Sequence, residues 1–518
     1  MQQHGGTLAA NDISVHRGAD AILERLSLAV TPGSRIGVVG PNGRGKTTLL
    51  RALAGLEELE RGSIRRSPPT LRVGYLPQER DLLPGESLLG YLARRTGEEQ
   101  TAEFEARAGA ALRRAGLDVE PQRSVAALSG GERSRAALTS ILLSRFDVYL
   151  LDEPTNDLDF EGLDLLERFL RRLDAGLVVV SHDRAFLDRT VNAILELESG
   201  THRAHLFTGG WTEYEAARDR ARAEHERRFR EWNDERARFG DLHRERREQA
   251  RAAGRQADRR GTHALMSKTR AAAKRIERLE RDRVEKPWQP WDLRLDLAPA
   301  GRSGDLVVAL EGAVVERGPF RLGPFDLSVE WGDRLSIVGP NGSGKSTLID
   351  ALLGRLPLPG RERQPSEQRV GPSVVFGEIG QARALFAEDE PLIKTFCAES
   401  SLREGDARTL LAKFDLYAEH VLRAGASLSA GERTRAELAL QAARAAGCLV
   451  LDEPTNHLDL PAVEELERAL SVYDGTLILV THDRRFLEQV GVTRVFDLSS
   501  AAPARDRPTA RPRLRDRH

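Results

Sequence analysis

The sequence predicts an α/β protein built from two copies of one parallel-sheet domain, joined by an antiparallel pair of long helices. Three observations carry this. A strand, a glycine-rich loop and a helix follow one another twice. Four distinctive residues recur in order, Lys46 with Lys345, Ser129 with Ser429, Glu153 with Glu453 and His182 with His482, at an offset of 299 once and 300 three times. Between the copies the hydrophobic pattern changes to a sustained helical period. Self-similarity at a fixed spacing decides architecture before any local detail does.

In chain order, residues 7–30 alternate as strand and end in Leu26 to Val30, after which Pro32-Gly33 turns the chain into the apolar strand Ile36 to Val39. Residues 306–338 repeat the scheme, with Gly332-Asp333 as the turn and Leu335 to Val338 as the strand. Each strand runs through glycines into a helix with apolar spacing, Leu49, Leu50 and Leu53 in one copy and Leu348, Leu352 and Leu353 in the other. Strand, loop and helix in that order imply a parallel sheet.

From Trp211 to Ala253 there is no proline and one glycine, and Trp211, Tyr214, Ala221, His225, Phe229, Trp232, Phe239 and Leu242 lie on one helical stripe. Gly254 and Gly261 bracket a break. Leu265, Thr269, Ala272, Ile276 and Leu279 then form a second seam, so a helical hairpin ending near Pro287 is expected.

With 518 residues, 40% hydrophobic and 30% charged, the chain is long enough for two or three domains, each with its own core. The net charge of -1 gives no global attraction to nucleic acid or membrane, so any such attraction is local. Two cysteines, Cys397 and Cys448, support neither a disulfide framework nor a thiolate metal site. Met1 to Val15 lacks a charged segment followed by an apolar one, so a cytoplasmic location is expected. The longest apolar runs, Gly176 to Val180 and Leu477 to Val480, fall far short of the roughly 20 residues a membrane helix needs.

The glycine-rich loops carry the chemistry. Gly40-Pro41-Asn42-Gly43-Arg44-Gly45-Lys46-Thr47 with Thr48, and Gly339-Pro340-Asn341-Gly342-Ser343-Gly344-Lys345-Ser346 with Thr347, fit a phosphate-binding loop. Glycines let consecutive N–H groups face the phosphates, the helix start adds its dipole, the lysine reaches the β and γ phosphates, and Thr47 or Ser346 holds Mg²⁺. Asp152-Glu153 and Asp452-Glu453 end apolar strands: the aspartate orients the metal, and the glutamate polarises an attacking water. A helix cap would explain one acid, not two adjacent acids in both copies. Twenty-three residues upstream of each aspartate stand Ser129-Gly130-Gly131 and Ser429-Ala430-Gly431, a serine and small residues at a helix start that can bind an anion.

Together these residues resemble an ATP-binding cassette protein, a similarity that spans both repeats. The resemblance implies two P-loop cassettes, each a parallel α/β core with antiparallel β and helical subdomains, joined here by the antiparallel helical hairpin. It implies further site residues: Gln78 and Gln381 as glutamine-loop groups that also reach the metal, and His182 and His482 as switch histidines contacting the γ-phosphate. It also implies that ATP lies between the phosphate loop of one cassette and the signature serine of the other, pairing Lys46 with Ser429 and Lys345 with Ser129. The expected ligands are ATP and Mg²⁺. Where the family stacks an aromatic on adenine, this chain has Arg17 and Arg317, whose guanidinium planes can also stack. Arg44 in the first loop, Ala430 in the second signature, and Asp157 opposite His457 depart from the pattern. The Lys46 site holds two of these changes and is expected to turn over more slowly.

Twin cassettes without a membrane domain, linked by helices, resemble the ABC-F subfamily, whose members act at the ribosomal exit site on peptidyl tRNA and the peptidyl-transferase centre. Between Arg251 and Arg275 eight basic residues face one acidic residue, a net of +7 suited to phosphate contact with rRNA or tRNA. The stretches Arg317-Gly318-Pro319-Phe320, Leu322-Gly323-Pro324, Glu432-Arg433-Thr434-Arg435 and Leu458-Asp459-Leu460-Pro461 look like the actinobacterial antibiotic-resistance branch. The expected organisation is a first cassette at 1–207, the hairpin at 208–292, a second cassette at 293–500 and a disordered basic tail at 501–518. A monomer with intramolecular cassette pairing and no stable membrane partner follows. A housekeeping translation factor and a transporter ATPase subunit are the competing readings.

Overall fold

Buried β-branched runs and the turns between them fix the sheets. In the first cassette, the strands Val73–Leu76, Val148–Asp152, Gly176–Val180, Arg35–Val39 and Ala193–Leu197 lie side by side in that order, all parallel, and Ala204–Thr208 closes the edge antiparallel. Strands Val148–Asp152 and Gly176–Val180 are buried along their whole length, as a sheet covered on both faces requires. The second cassette repeats the plan with Phe376–Ile379, Cys448–Asp452, Thr476–Val480, Arg334–Val338 and Arg494–Asp497. Each cassette adds a three-stranded antiparallel sheet, Asp20–Val30, Thr7–Arg17 and Arg61–Ser67 in one, Phe320–Glu330, Leu306–Arg317 and Glu367–Val370 in the other. The continuous alternation over 7–30 is thus two paired strands.

This is a computed structural model, and it describes residues 6–498 apart from 19, 78–82, 157, 199–202, 256–272, 276, 285–304, 318–319, 357–366, 373, 381–383, 387 and 457. By internal contacts the chain divides into Met1–Trp211 with Leu293–His518, and Thr212–Asp292. Both cassettes therefore lie in one unit.

The helix after each phosphate loop is the wedge between the two sheets of its cassette. Leu49, Leu50 and Leu53 are fully buried in one core with Val38 and Leu150 of the parallel sheet and Leu8 and Ile13 of the antiparallel sheet. Leu348 and Leu352 do the same with Ile337, Val450 and Leu310. A smaller helical layer, with Leu88, Leu92, Phe104 and Leu112 at its centre, packs on the helix that begins at the first signature serine.

In the other unit, the helix Trp211–Arg255 runs through Gly254, so the first of the two bracketing glycines is itself helical. Residues 273–275 and 277–281 are helical and return beside it. Trp232 Nε1 donates to Leu279 O at 2.8 Å, Arg236 Nε donates to Glu280 at 2.6 Å, and the Arg275 guanidinium lies 5.9 Å from the Phe239 ring. From Trp232 opposite Leu279 to Phe239 opposite Arg275 the numbers run in opposite directions, so the two helical segments are antiparallel. Arg259, Arg260, Lys268 and Arg270 of the +7 cluster, and the tail at 501–518, lie outside the described residues.

Candidate active site

The first phosphate loop turns through left-handed positions at Gly43 and Gly45, with φ of 76° and 89°. A side chain at Gly45 would be strained and would also meet Ile22 Cγ2 at 2.6 Å. The loop leaves Lys46 buried, and its ammonium donates back to Gly40 O at 2.7 Å, Pro41 O at 3.2 Å and Asn42 Oδ1 at 3.3 Å. Lys345 repeats the set with Gly339 O, Pro340 O and Asn341 Oδ1 at 2.8, 3.3 and 3.4 Å. Burial lowers both lysine pKa values, while Glu153 and Glu453 pull them back. A cation so placed is ready for a polyanion.

The acids stand at the ends of the central strands. Asp152 is held by the hydroxyl of Thr47 and by Tyr75 Oη at 3.4 Å, and burial pushes its carboxyl up to about 6. Asp452 accepts from Ser346 Oγ at 2.8 Å and is also raised by burial. Glu153 and Glu453 adopt left-handed backbone, with φ of 49° and 47°, a conformation that costs energy for any residue with a Cβ. Their amides are pinned to Val180 O at 2.9 Å and Val480 O at 2.7 Å, so the sheet itself enforces the strain. The turn brings Glu153 to 3.2 Å from His182 Nε2 and Glu453 to 3.4 Å from His482 Nε2. Burial first, then Lys46 or Lys345, lowers the imidazole pKa to about 3 for His182 and about 4 for His482, so both rings are neutral at physiological pH.

Several of these groups line two cavities, although Lys345, Ser346 and Asp452 are not among the lining residues. One, of about 400 Å³, gathers Arg17, Asn42, Lys46, Thr47, Asp152, Glu153 and His182 of the first cassette with Thr455 and Leu458 of the second. The other, of about 320 Å³, sets Gly130 and Gly131 of the first cassette against Asn341, Gly342, Glu453 and His482 of the second. Gly131 is so close that a Cβ there would meet Asn341 Cβ at 2.9 Å. Ser129 and Ser429 each form a capping box with Glu132 and Glu432. The first signature also stands beside the opposing loop through Gly130 and Gly131, whereas Ser429, Ala430 and Gly431 are not among the residues lining the Lys46 cavity. Arg17 lines the first cavity, whereas the Arg317 guanidinium lies 3.4 Å from Asp350. Gln78, Gln381, Asp157 and His457 lie outside the described residues.

The sequence reading missed the residues that tie the cassettes together. Asp159 Oδ2 accepts from Asn341 N at 3.0 Å, and Asp459 Oδ2 accepts from Asn42 N at 3.1 Å, so each phosphate loop is bonded to the opposite cassette. Their signal was present: both acids stand six residues after the glutamate and repeat at an offset of 300.

The residues present fit a magnesium nucleotide. Asp152 Oδ1 is buried without a hydrogen-bond partner among the described residues. Thr47 with Asp152 and Ser346 with Asp452 each set one hydroxyl beside one carboxylate, a donor set suited to a small cation that also takes phosphate oxygens. Among the described residues no helix is long and apolar enough to cross a membrane.

Strand, phosphate loop and helix, twice, with an acid pair at the neighbouring strand end, define a P-loop ATPase with two nucleotide sites. The family model described as "ABC transporter" matches residues 23–156 and 322–456. The tylosin resistance ATP-binding protein TlrC of Streptomyces fradiae is 35% identical over 90% of this chain and 92% of its own length. The energy-dependent translational throttle protein EttA of Escherichia coli K12 is 30% identical over 92% of this chain and 89% of its own. Among solved structures, RNase-L Inhibitor shares the fold, with a TM-score of 0.60 and 21% identity over 94% of this chain and 87% of that one. The chain belongs to the ATP-binding cassette family, in its twin-cassette F subfamily, and is an ATP-hydrolysing enzyme.

The buried histidines make stability depend on pH in a defined direction. Their folded pKa values lie below the unfolded value of about 6.5, so the unfolded chain binds protons first as pH falls, and each ring destabilises the fold between about 6.5 and its own lowered value by about 1.4 kcal/mol per pH unit. A His182→Gln, His482→Gln chain therefore loses less stability than the parent between pH 6.5 and 5. Denaturant unfolding at the two pH values checks this, and equal losses would refute it.

Proposed function

We propose that the chain is an ATP-driven clamp that works on the ribosome and confers antibiotic resistance by ribosome protection. The observation that carries the clamp is the exchanged bond between each phosphate loop and the opposing aspartate. In this reading Lys46, with the N–H groups around Gly43 and Gly45, binds one ATP opposite Ser429, and Lys345 binds the other opposite Ser129. Thr48 and Thr347, next along each helix, complete the loops. Thr47 and Asp152, and Ser346 and Asp452, would hold Mg²⁺, with Gln78 and Gln381 joining them. The metal, when bound, neutralises charge on the β and γ phosphates. Glu153 and Glu453 orient and polarise the attacking water, and the neutral His182 and His482 donate toward the γ-phosphate. The left-handed turn at each glutamate aims its carboxylate back at the histidine.

Closure on two ATP molecules drives the hairpin into the exit site, toward peptidyl tRNA and the peptidyl-transferase centre, and hydrolysis releases it. The net +7 between Arg251 and Arg275 supports contact with rRNA or tRNA phosphates. The resistance named for the Streptomyces fradiae relative supports the protection role. The throttle named for the Escherichia coli relative supports a second reading, a housekeeping translation factor. Both place a monomer in the cytoplasm with no stable membrane partner.

The Glu153→Gln, Glu453→Gln double variant, mixed with ATP, should co-sediment with 70S ribosomes, and raising salt from about 50 to about 200 mM should weaken association at least about tenfold. Ribosome-free ATP-bound protein would end this reading. Drug protection of in vitro translation by the parent chain separates resistance from housekeeping.

The two sites should also differ. Arg44 and Ala430 both belong to the Lys46 site, so Glu453→Gln should remove most of the steady-state ATPase rate and Glu153→Gln less than half. Equal losses would contradict the inequality.

A further inference from the structure

The 300-residue repeat allows each contact between the cassettes to be set beside its counterpart, and one pair is unmatched. Arg184 opens the helix after His182 and is 2% exposed. Both of its Nη atoms donate to the carboxylate of Glu467, on the helix Leu460–Ser471 of the other cassette, with Nη1 to Oε2 at 3.0 Å. The counterpart Arg484 reaches Asp164 instead, through one nitrogen at 2.9 Å, with the two side chains 34% and 49% exposed. Its guanidinium also lies 5.3 Å from the Phe160 ring. A buried two-pronged ion pair resists separation, because either charge left alone inside the protein is costly; an exposed single bond is readily exchanged for water.

The sequence gives a cause for the difference. Glu167, the counterpart of Glu467, is held within its own cassette by Arg189, whose Nη1 lies 3.3 Å from both carboxylate oxygens. Position 489, the counterpart of 189, is glutamine. Glu467 thus lacks the local partner that detains Glu167, and it crosses to Arg184; Arg485 on its own side is a weaker electrostatic neighbour.

The bond also sits at one site rather than the other. The helix that carries Arg184 follows His182, which lines both cavities and stands 3.2 Å from Glu153 of the Lys46 site, and the helix that carries Glu467 starts at Asp459, which holds Asn42 in the Lys46 cavity. The exposed pair joins the helix that follows His482 and the helix that starts at Asp159, whose partner Asn341, in the Lys345 loop, lines the other cavity with His482. We propose that Arg184 and Glu467 are positioning residues, a latch that keeps the two sides of the Lys46 site together while the Lys345 site opens first. This deepens the proposed clamp and rests on its paired-site geometry.

Hydrogen exchange on the full chain without nucleotide tests it, comparing segments 40–48 and 339–347. The parent should protect 40–48 about tenfold more. Positions 189 and 489 are both exposed, so exchanging them leaves the core alone. Gln489→Arg should detain Glu467 and reduce protection of 40–48 at least about threefold without changing 339–347. Arg189→Gln should free Glu167 for Arg484 and raise protection of 339–347. Equal protection of the two segments in the parent, or no selective change in Gln489→Arg, overturns the latch. No ribosome enters the measurement, so its failure leaves the ribosome reading untouched, and failure of that reading leaves the exchange result standing.

Discussion

One carboxylate on each side of the molecule ties the start of its own helix to the phosphate loop of the other cassette, and the site depends on both. Asp159 Oδ1 caps its own helix at Gly162 N, at 3.0 Å, while Oδ2 takes the amide of Asn341 from the other cassette and the guanidinium of Arg135 at 2.8 Å. Arg135 lies on the helix that starts at Ser129, so the helix Phe160–Arg171, the signature helix and the opposite phosphate loop meet at a single residue. Asp459 caps at Ala462 N and takes Asn42 N, at 3.2 and 3.1 Å. Hydrogen bonds to a charged group are worth about 1.5–3 kcal/mol each, enough to make the position of one loop depend on the other cassette.

Around these contacts the site stores unfavourable states that nucleotide would relieve. Lys46 and Lys345 are buried cations that donate to loop carbonyls and an amide oxygen. Asp152 is a buried acid shifted toward its protonated form, and the neighbouring glutamates are held in left-handed backbone by the sheet. Each arrangement costs free energy in isolation, and in the function proposed above a phosphate chain with its metal would compensate the lysine and the aspartate together. Burial that disfavours the unpaired ions is the same burial that strengthens their interaction with substrate.

Much of this was legible in the sequence because it depends on local pattern. The apolar strands, the glycine loops and the helix stripe of Leu49, Leu50 and Leu53 each follow from residues adjacent in the chain, and the repeat doubled every signal. Tyr75 and Arg184 were not legible, since their roles depend on partners far away in sequence; Asp159 repeated as Asp459 at the 300-residue offset, but an aspartate before a helix reads as an ordinary cap, and its bond to the opposite loop has no local signal. The left-handed glutamates are likewise set by strand pairing with Val180 and Val480, which no local preference of glutamate announces. The strand reading of 7–30 lacked the reversal near Gly18, where a glycine with φ of 62° turns the chain back on itself.

The central claim is that each phosphate loop is completed by the opposite cassette. It is tested most directly by calorimetric titration of ATP into a chain whose own first loop is silenced by Lys46→Ala, with and without Asp159→Asn. Asparagine can still cap the helix but offers no carboxylate to Asn341, so affinity at the remaining Lys345 loop should fall about tenfold. An unchanged affinity would contradict the account.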